Sequence, residues 1–563
     1  MGDADRPTRQ WPLRAVPEHL RARYVAEGWW DDDSLGATVA NGLATLGATP
    51  FNVFSAVRPW RGTFADIDRS ARALAGSLRA RGVGPGDVVA FQLPNWAEAG
   101  VTFWAAAYLG AVVVPIVHFY GAKEVAYIVR TVQPEVLITA DRFGSVDHLE
   151  LYGGLYGDRF GADDGRDHPT PQWVVVGDTP PGEIPDGATP FASLADPDLV
   201  DAEPLDGPLP VDPDSPALVA FTSGTTRDPK GVIHSHRTIG FETRQLDHMF
   251  PRGGPAQITG APVGHFIGML NAFLVPLLRE RSVNLIDVWD PSEVLRLMRT
   301  ERLGVGGGAT YFLTSLLDHP HFTSEHLAMM PFAGLGGSSV PVPVMERLAA
   351  MGIEAFRSYG STEHPSITGC LLDEPAVKRM TTDGSPLPGV EIRLDEAGEI
   401  SSRGPDLFMG YVDPVLTEQA FDDDGWYRTG DVGVVDEDGY LTITDRVADV
   451  IIRGGENISA QEVEELLMGL AGVVEVSVVA APDPRLGERA AAVLRLGTGA
   501  GRPAIADVRA HLAAAGLAKQ KWPESLHVVD EFPRTPSGKV QKFVLRQQLR
   551  DGALDAYDAA ERI

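Results

Sequence analysis

The stretch Phe221-Thr-Ser-Gly-Thr-Thr-Arg-Asp-Pro-Lys-Gly231 gathers the hydroxyls of Thr222, Ser223, Thr225 and Thr226 around Gly224 and ends on Lys230. Small residues let backbone N–H groups close on phosphate oxygens, and an ammonium adds the counter-charge, so the run reads as a phosphate-handling loop. Other polar stretches follow at intervals: His265 within Pro262-Val-Gly-His-Phe-Ile-Gly268, then Gly336-Gly337-Ser338, Tyr359-Gly360-Ser-Thr362-Glu363 and Tyr427-Arg-Thr-Gly-Asp431. Arg446, Gly454-Gly455 and Pro533-Arg-Thr-Pro-Ser-Gly-Lys539 complete the series. Each alone has a plain reading: Glu363 a solvated loop carboxylate, Asp431 a capped turn, His265 a satisfied core residue, Lys539 an exposed lysine.

Such groups need rigid elements behind them, and the chain is long enough to supply more than one core. At 563 residues at least two domains are expected. Between residues 1 and 140 helical periodicity, as in Ile67 to Arg81, alternates with short apolar runs at Val88 to Gln92 and Glu135 to Thr139. That alternation predicts βαβ units and a largely parallel sheet. Ala99 to Tyr120 is an uncharged run of membrane-spanning length, but Gly110 and Pro115 divide it into an alanine-rich and a β-branched part. A buried helix followed by a buried strand is expected, and no transmembrane segment.

Residues 152–214, rich in Gly, Pro and Asp, read as a surface excursion with one strand at Trp173 to Val176. Alternation resumes from Ala217 to about Arg357, with strands at Val283 to Ile286 and Ile353 to Ser358. After Gly389 short strands and acidic turns predict a small β-rich subdomain, and past Asp445 a compact α+β pattern begins. The expected fold is therefore α/β: a large N-terminal domain of two βαβ-type sheets plus a β-rich subdomain over residues 1–444, a hinge at 445–448, and a mobile α+β lid over 449–563.

Lys plus Arg number 48 against 77 Asp plus Glu, a net charge of −29, which argues against nucleic acid or an anionic membrane as partner. Cys370 is the only cysteine, so no intrachain disulfide can form. This fits a reducing, cytoplasmic setting, and the first residues lack the apolar core of a signal peptide. Nothing near Cys370 activates it as a nucleophile, and a small buried residue is expected there.

In order and context the motifs resemble those of the acyl-adenylate-forming superfamily, in its acyl-CoA synthetase branch, across about Leu74 to Leu545. The resemblance implies that Thr222 to Arg227 and Lys230 handle the phosphates of ATP, that Gly337 and Ser338 line the adenine and that Tyr359 stacks on it. Gly360 belongs to the same loop, Thr362 would contact the α-phosphate and Glu363 would hold Mg²⁺. Asp431 would accept from both ribose hydroxyls and Arg446 would reach ribose or phosphate. Gly454 and Gly455 would border the CoA pantetheine tunnel, His265 would stand near the acyl pocket, and Lys539 would bridge the substrate carboxylate and α-phosphate.

The implied reaction joins a carboxylate to ATP as acyl-AMP, after which the small domain rotates and a thiol, usually of CoA, displaces AMP. Glycines 264, 268 and 306 to 308 predict a roomy pocket, hence a bulky, hydrophobic carboxylic acid. Arg227 stands where the family normally has glycine, and Ala448 where it often has a charged hinge residue. An arginine there adds a phosphate contact, points to solvent, or fills the place of the β- and γ-phosphates. In the last case only thioesterification survives, with acyl-AMP supplied by a separate adenylating enzyme. Transfer to a carrier-protein thiol and non-catalytic adenylate binding are the alternative readings.

Overall fold

The structure is a computed structural model that describes residues 9–156, 170–222, 229–279, 281–337, 340–447, 449–453, 456–534 and 539–559. Ser223, Gly224, Thr225, Thr226, Arg227, Ser338, Ala448, Gly454 and Gly455 lie outside them.

The uncharged run resolves as its composition predicts. A helix spans Ala97–Leu109 and is buried on almost every side. It ends at Gly110, whose φ of +66° suits a residue without Cβ. The strand Val112–Pro115, fully buried, follows at once. Alongside packs the helix Phe64–Ala80, started by a capping box in which Thr63 and Asp66 satisfy each other's backbone N–H groups. Its apolar face (Ile67, Ala71, Leu74, Leu78) meets Trp104 and Leu109 in the largest core.

Eight strands form the first sheet, in the order Gly410–Tyr411, Lys230–Ser235, Pro216–Thr222, Val112–Pro115, Val88–Gln92, Val136–Ala140, Gln172–Val176, Thr189–Pro190. Its centre is parallel and buried on both faces, as helix-covered sheets are. Pro216–Thr222 and Lys230–Ser235 form an antiparallel hairpin whose last pair is Thr222 opposite Lys230. The two ends of the phosphate-type loop are thus fixed in register.

In the second sheet Gly307–Gly308, Phe332–Leu335 and Glu354–Tyr359 run parallel, joined by antiparallel Thr368–Gly369 and Ser385–Pro386. Parallel strands deliver their connections at their carboxyl ends, so the Gly336-Gly337 turn and the Tyr359 to Glu363 loop emerge side by side. An ion pair made by Arg357, 2% exposed, with Asp383 (2.7 Å) lies inside this domain. Asp383 also accepts from the Ile443 N–H at 2.8 Å, tying the second sheet to the β-rich subdomain.

That subdomain is a four-stranded antiparallel sheet of Glu391–Leu394, Glu399–Arg403, Tyr427–Val435 and Leu441–Arg446. The small C-terminal domain packs the helices Ala460–Leu467 and Ile505–Ala514 on a sheet built around the long pair Val473–Asp483 and Gly487–Leu496. Ser459 caps the first of these helices. Its hydroxyl also donates to the Thr444 carbonyl, and buried Asp445 accepts from the Ala460 N–H, so the connection between the domains is anchored on both sides. Cys370 is fully buried, and burial pushes its thiol up to about 12.

Candidate active site

Asp431 and Arg446 occupy partner positions of two neighbouring strands, and their side chains pair at 3.1 Å. The Tyr359 hydroxyl donates to the other Asp431 oxygen at 2.7 Å. A carboxylate offers about four lone-pair directions, so acceptor capacity remains for a diol beside these two donors. Burial, then the Asp431 charge and hydrogen bond, hold the Tyr359 phenol well above its ordinary value, so it stays a donor. Burial works against the Arg446 guanidinium, but the charges of Asp431 and Asp449 outweigh it and raise its pKa.

The loop carrying Glu363 is folded tightly: a Cβ on Gly360 would lie 1.8 Å from the Pro365 carbonyl oxygen, so only glycine fits. The Thr362 carbonyl accepts from His234 Nε2 at 2.7 Å, and the Phe408 N–H donates to the Glu363 carbonyl at 2.9 Å. Burial lowers His234 to about 4, which keeps the ring neutral, with the proton on Nε2 set by its carbonyl partner. Glu363 itself is 8% exposed, and its Oε1 accepts from the Tyr411 phenol at 2.8 Å. Lys230 places its ammonium 5.2 Å from the centre of the Tyr411 ring.

Behind the loop lies a buried polar cluster that the motifs do not announce. His364 stands between Ser402 (2.8 Å) and Asp406 (3.2 Å), and Ser366 donates to Glu242 at 2.9 Å. Burial, reinforced by the Asp406 charge, pushes the Glu242 carboxyl well up. The one signal in the sequence is positional. Glu242 sits on the apolar face of the helix His236–Met249, three residues after Ile239 and four before Leu246.

Lys539, from the C-terminal domain, reaches the same place. The residue is exposed, yet the protein crowded around it, with the Arg446 charge, lowers its ammonium to about 8; Asp431 and Glu363 act in the opposite sense. The Lys539 charge is felt in turn at His265, where burial is the larger cause of a pKa lowered to about 4. Neutral His265 stands at the N-cap position of the helix Phe266–Phe273 without a side-chain capping bond, and its Nε2 has no hydrogen-bond partner among the described residues. Gly337 adopts φ +76°, with nothing within 4 Å of a built Cβ, leaving its face open.

The glycines read as making room do something else. A Cβ on Gly264 would lie 2.6 Å from the Ile116 carbonyl oxygen, on Gly268 2.2 Å from that of Pro262, and on Gly307 2.5 Å from that of Gly334. They are required by close backbone approach, so they are not a measure of pocket volume. Gly308 is exposed and at φ +114°, but the Phe312 ring would lie 3.3 Å from a Cβ there, so it does not open onto free space either.

A dication would find one carboxylate here. Among the described residues no group of three His, Cys, Asp or Glu side chains could hold a metal. Glu363, with one oxygen committed to Tyr411, suits a hard ion such as Mg²⁺ whose other ligands are phosphate oxygens and water.

Residues 49–412 match the AMP-binding enzyme family, and residues 462–539 match the AMP-binding enzyme C-terminal domain. The chain belongs to the AMP-binding enzyme family. Among its relatives, the medium-chain fatty-acid–CoA ligase of Escherichia coli (strain K12) is 34% identical over 94% of this chain and 93% of its own. The 3-[(3aS,4S,7aS)-7a-methyl-1,5-dioxo-octahydro-1H-inden-4-yl]propanoyl:CoA ligase of Rhodococcus jostii (strain RHA1) is 36% identical over 86% of this chain and 93% of its own. ATP-bound MatB from Rhodopseudomonas palustris superposes with a TM-score of 0.78 at 28% identity, covering 92% of this chain and 99% of that one. This AMP-binding enzyme is thus an acid–thiol ligase of the acyl-CoA synthetase type, working through acyl-AMP with ATP, a carboxylic acid and CoA. Among the described residues no helix is long and apolar enough to cross a membrane.

Proposed function

We propose that this chain activates a bulky hydrophobic carboxylic acid with ATP and transfers the acyl group to CoA. The observation that carries the reading is Lys539, brought from the small domain into the electrostatic reach of Asp431, Glu363 and Arg446 of the large one. In this arrangement Asp431 binds the ribose diol, Tyr359 stands beside the base and the Thr222 to Lys230 loop takes the phosphates. Lys539 offsets negative charge as a substrate carboxylate oxygen bonds to the α-phosphorus and pyrophosphate leaves. Mg²⁺ bound through Glu363 would supply further charge neutralisation on the phosphates. Rotation at Asp445 to Ala448 then withdraws Lys539 and brings the Gly454-Gly455 loop to the acyl-AMP. The CoA sulfur bonds to the acyl carbon, and AMP departs with the electrons of the broken anhydride bond.

Bulk in the acid is supported by the Rhodococcus relative, whose name specifies a bicyclic propanoyl group. The test is a panel of bicyclic, aromatic and straight-chain acids assayed for CoA-thioester formation. Turnover of straight-chain acids alone would refute the bulky-acid reading.

Arg227 favours a second reading, in which a separate enzyme supplies acyl-AMP and this one performs only thioesterification. Pyrophosphate exchange and consumption of synthetic acyl-AMP, measured in the native chain and in Arg227→Gly, separate the two. Robust native exchange sinks the half-enzyme. The same assay with CoA and a carrier-protein thiol side by side identifies the acceptor.

A further inference from the structure

Tyr411 is absent from the motifs that named the site, yet it touches two of its charged groups at once. It lies in the two-residue edge strand Gly410–Tyr411, paired to the loop-closing strand through Val232. The residue is 2% exposed, and its N–H donates to the Thr417 hydroxyl at 2.9 Å. Its ring meets Phe408 edge-on at 4.8 Å, while the Phe408 N–H holds the Glu363 carbonyl. The segment Phe408 to Tyr411 therefore grips Glu363 at backbone and side chain alike.

The direction of the hydrogen bond is fixed. A carboxylate only accepts, so the Tyr411 hydroxyl donates its proton to Glu363 Oε1, 2.8 Å away. Burial, then the Glu363 charge, raises the Tyr411 phenol far above its ordinary value, so that proton is not lost at any working pH. The face of the same ring supports the Lys230 ammonium at 5.2 Å.

We infer that Tyr411 is a positioning residue that reserves one oxygen of Glu363, leaving the other as a single-oxygen ligand for a divalent cation, and seats Lys230 against the same ring. The inference rests on the ATP-dependent reading above. It assigns the hydroxyl and the ring to separable tasks: the hydroxyl orients the metal ligand and the ring orients the phosphate lysine.

The test uses the full chain and reads binding. Mn²⁺ affinity is titrated by electron paramagnetic resonance in the presence of α,β-methylene-ATP, in native protein, Tyr411→Phe and Tyr411→Leu, with thermal midpoints recorded for each. Tyr411→Phe is expected to weaken Mn²⁺ binding about tenfold, the scale of one charge-assisted hydrogen bond, while metal-free binding of the analogue and turnover of synthetic acyl-AMP with CoA stay native. Tyr411→Leu is expected to weaken metal-free binding of the analogue as well, because Lys230 loses its support. Native Mn²⁺ affinity in Tyr411→Phe overturns the role of the hydroxyl, as does an equal fall in metal-free affinity. A native chain that binds no metal–nucleotide complex overturns the ATP-dependent reading, and this inference with it.

Discussion

If Lys539 bridges the carboxylate and the α-phosphate as proposed, its lowered pKa makes adenylation sensitive to pH in a range where most lysines are silent. In the free protein the protein crowded around this exposed side chain, with the Arg446 charge, lowers its ammonium to about 8. The charged form is the one that can bridge a carboxylate and a phosphate, so activity is full below pH 8 and falls as pH rises through it. For a single group with that pKa, the charged fraction drops from about 0.9 at pH 7 to about 0.1 at pH 9, a loss of roughly tenfold. The assay is pyrophosphate exchange, which contains no CoA and so excludes titration of the thiol. The limb belongs in kcat/KM for ATP, which reports the free enzyme; bound phosphates stabilise the ammonium and shift the limb in kcat upward. His265, lowered to about 4, does not titrate between pH 7 and 9. Lys539→Arg keeps a cation that stays protonated, so its residual activity is expected to be flat across the window. A flat native profile, or the same limb surviving in Lys539→Arg, would refute the reasoning.

Asp431→Asn removes the charge that pairs with Arg446 while keeping an acceptor for Tyr359, and is expected to raise KM for ATP about tenfold with a smaller change in kcat. Steady-state exchange kinetics measure it. Gly268→Ala drives a methyl against the Pro262 carbonyl and is expected to cost about 1–3 kcal/mol, seen as a lower thermal midpoint, without narrowing the range of acids accepted. Asp383→Ala leaves the buried Arg357 guanidinium without its carboxylate and is expected to destabilise the large domain by about 3–5 kcal/mol in a urea titration.

Strands and helices of the large domain were legible wherever burial imposed one pattern. Val88–Gln92, Val283–Ile286 and Glu391–Leu394 stand where composition puts them, and Gly110 divides the apolar run as expected. Among the described motif residues, Tyr359 and Glu363 lie at a strand's carboxyl end and Asp431 and Arg446 on adjacent strands, as the strand pattern leads one to expect. What could not be read was pairing at a distance. Thr362 with His234, Glu363 with Tyr411 and Glu242 with Asp406 join segments well separated in sequence, and no local periodicity encodes such partners. The glycines misled for a related reason, since absence of a side chain looks the same in sequence whether it leaves a cavity or admits a neighbouring backbone.

The edge strand at Gly410–Tyr411 also sets an order on the birth of the molecule. Lys230–Ser235 can pair with Pro216–Thr222 as soon as both have been made, but its other side stays an open edge until some 175 further residues have been added. During synthesis at about 5–20 residues per second, that hairpin therefore presents unpaired backbone for roughly ten seconds or more. The long connection defers completion of the nucleotide end of the sheet to the moment when nearly the whole large domain has emerged, so a chain arrested before Gly410 holds a bare strand edge and a Glu363 without the partner that orients it.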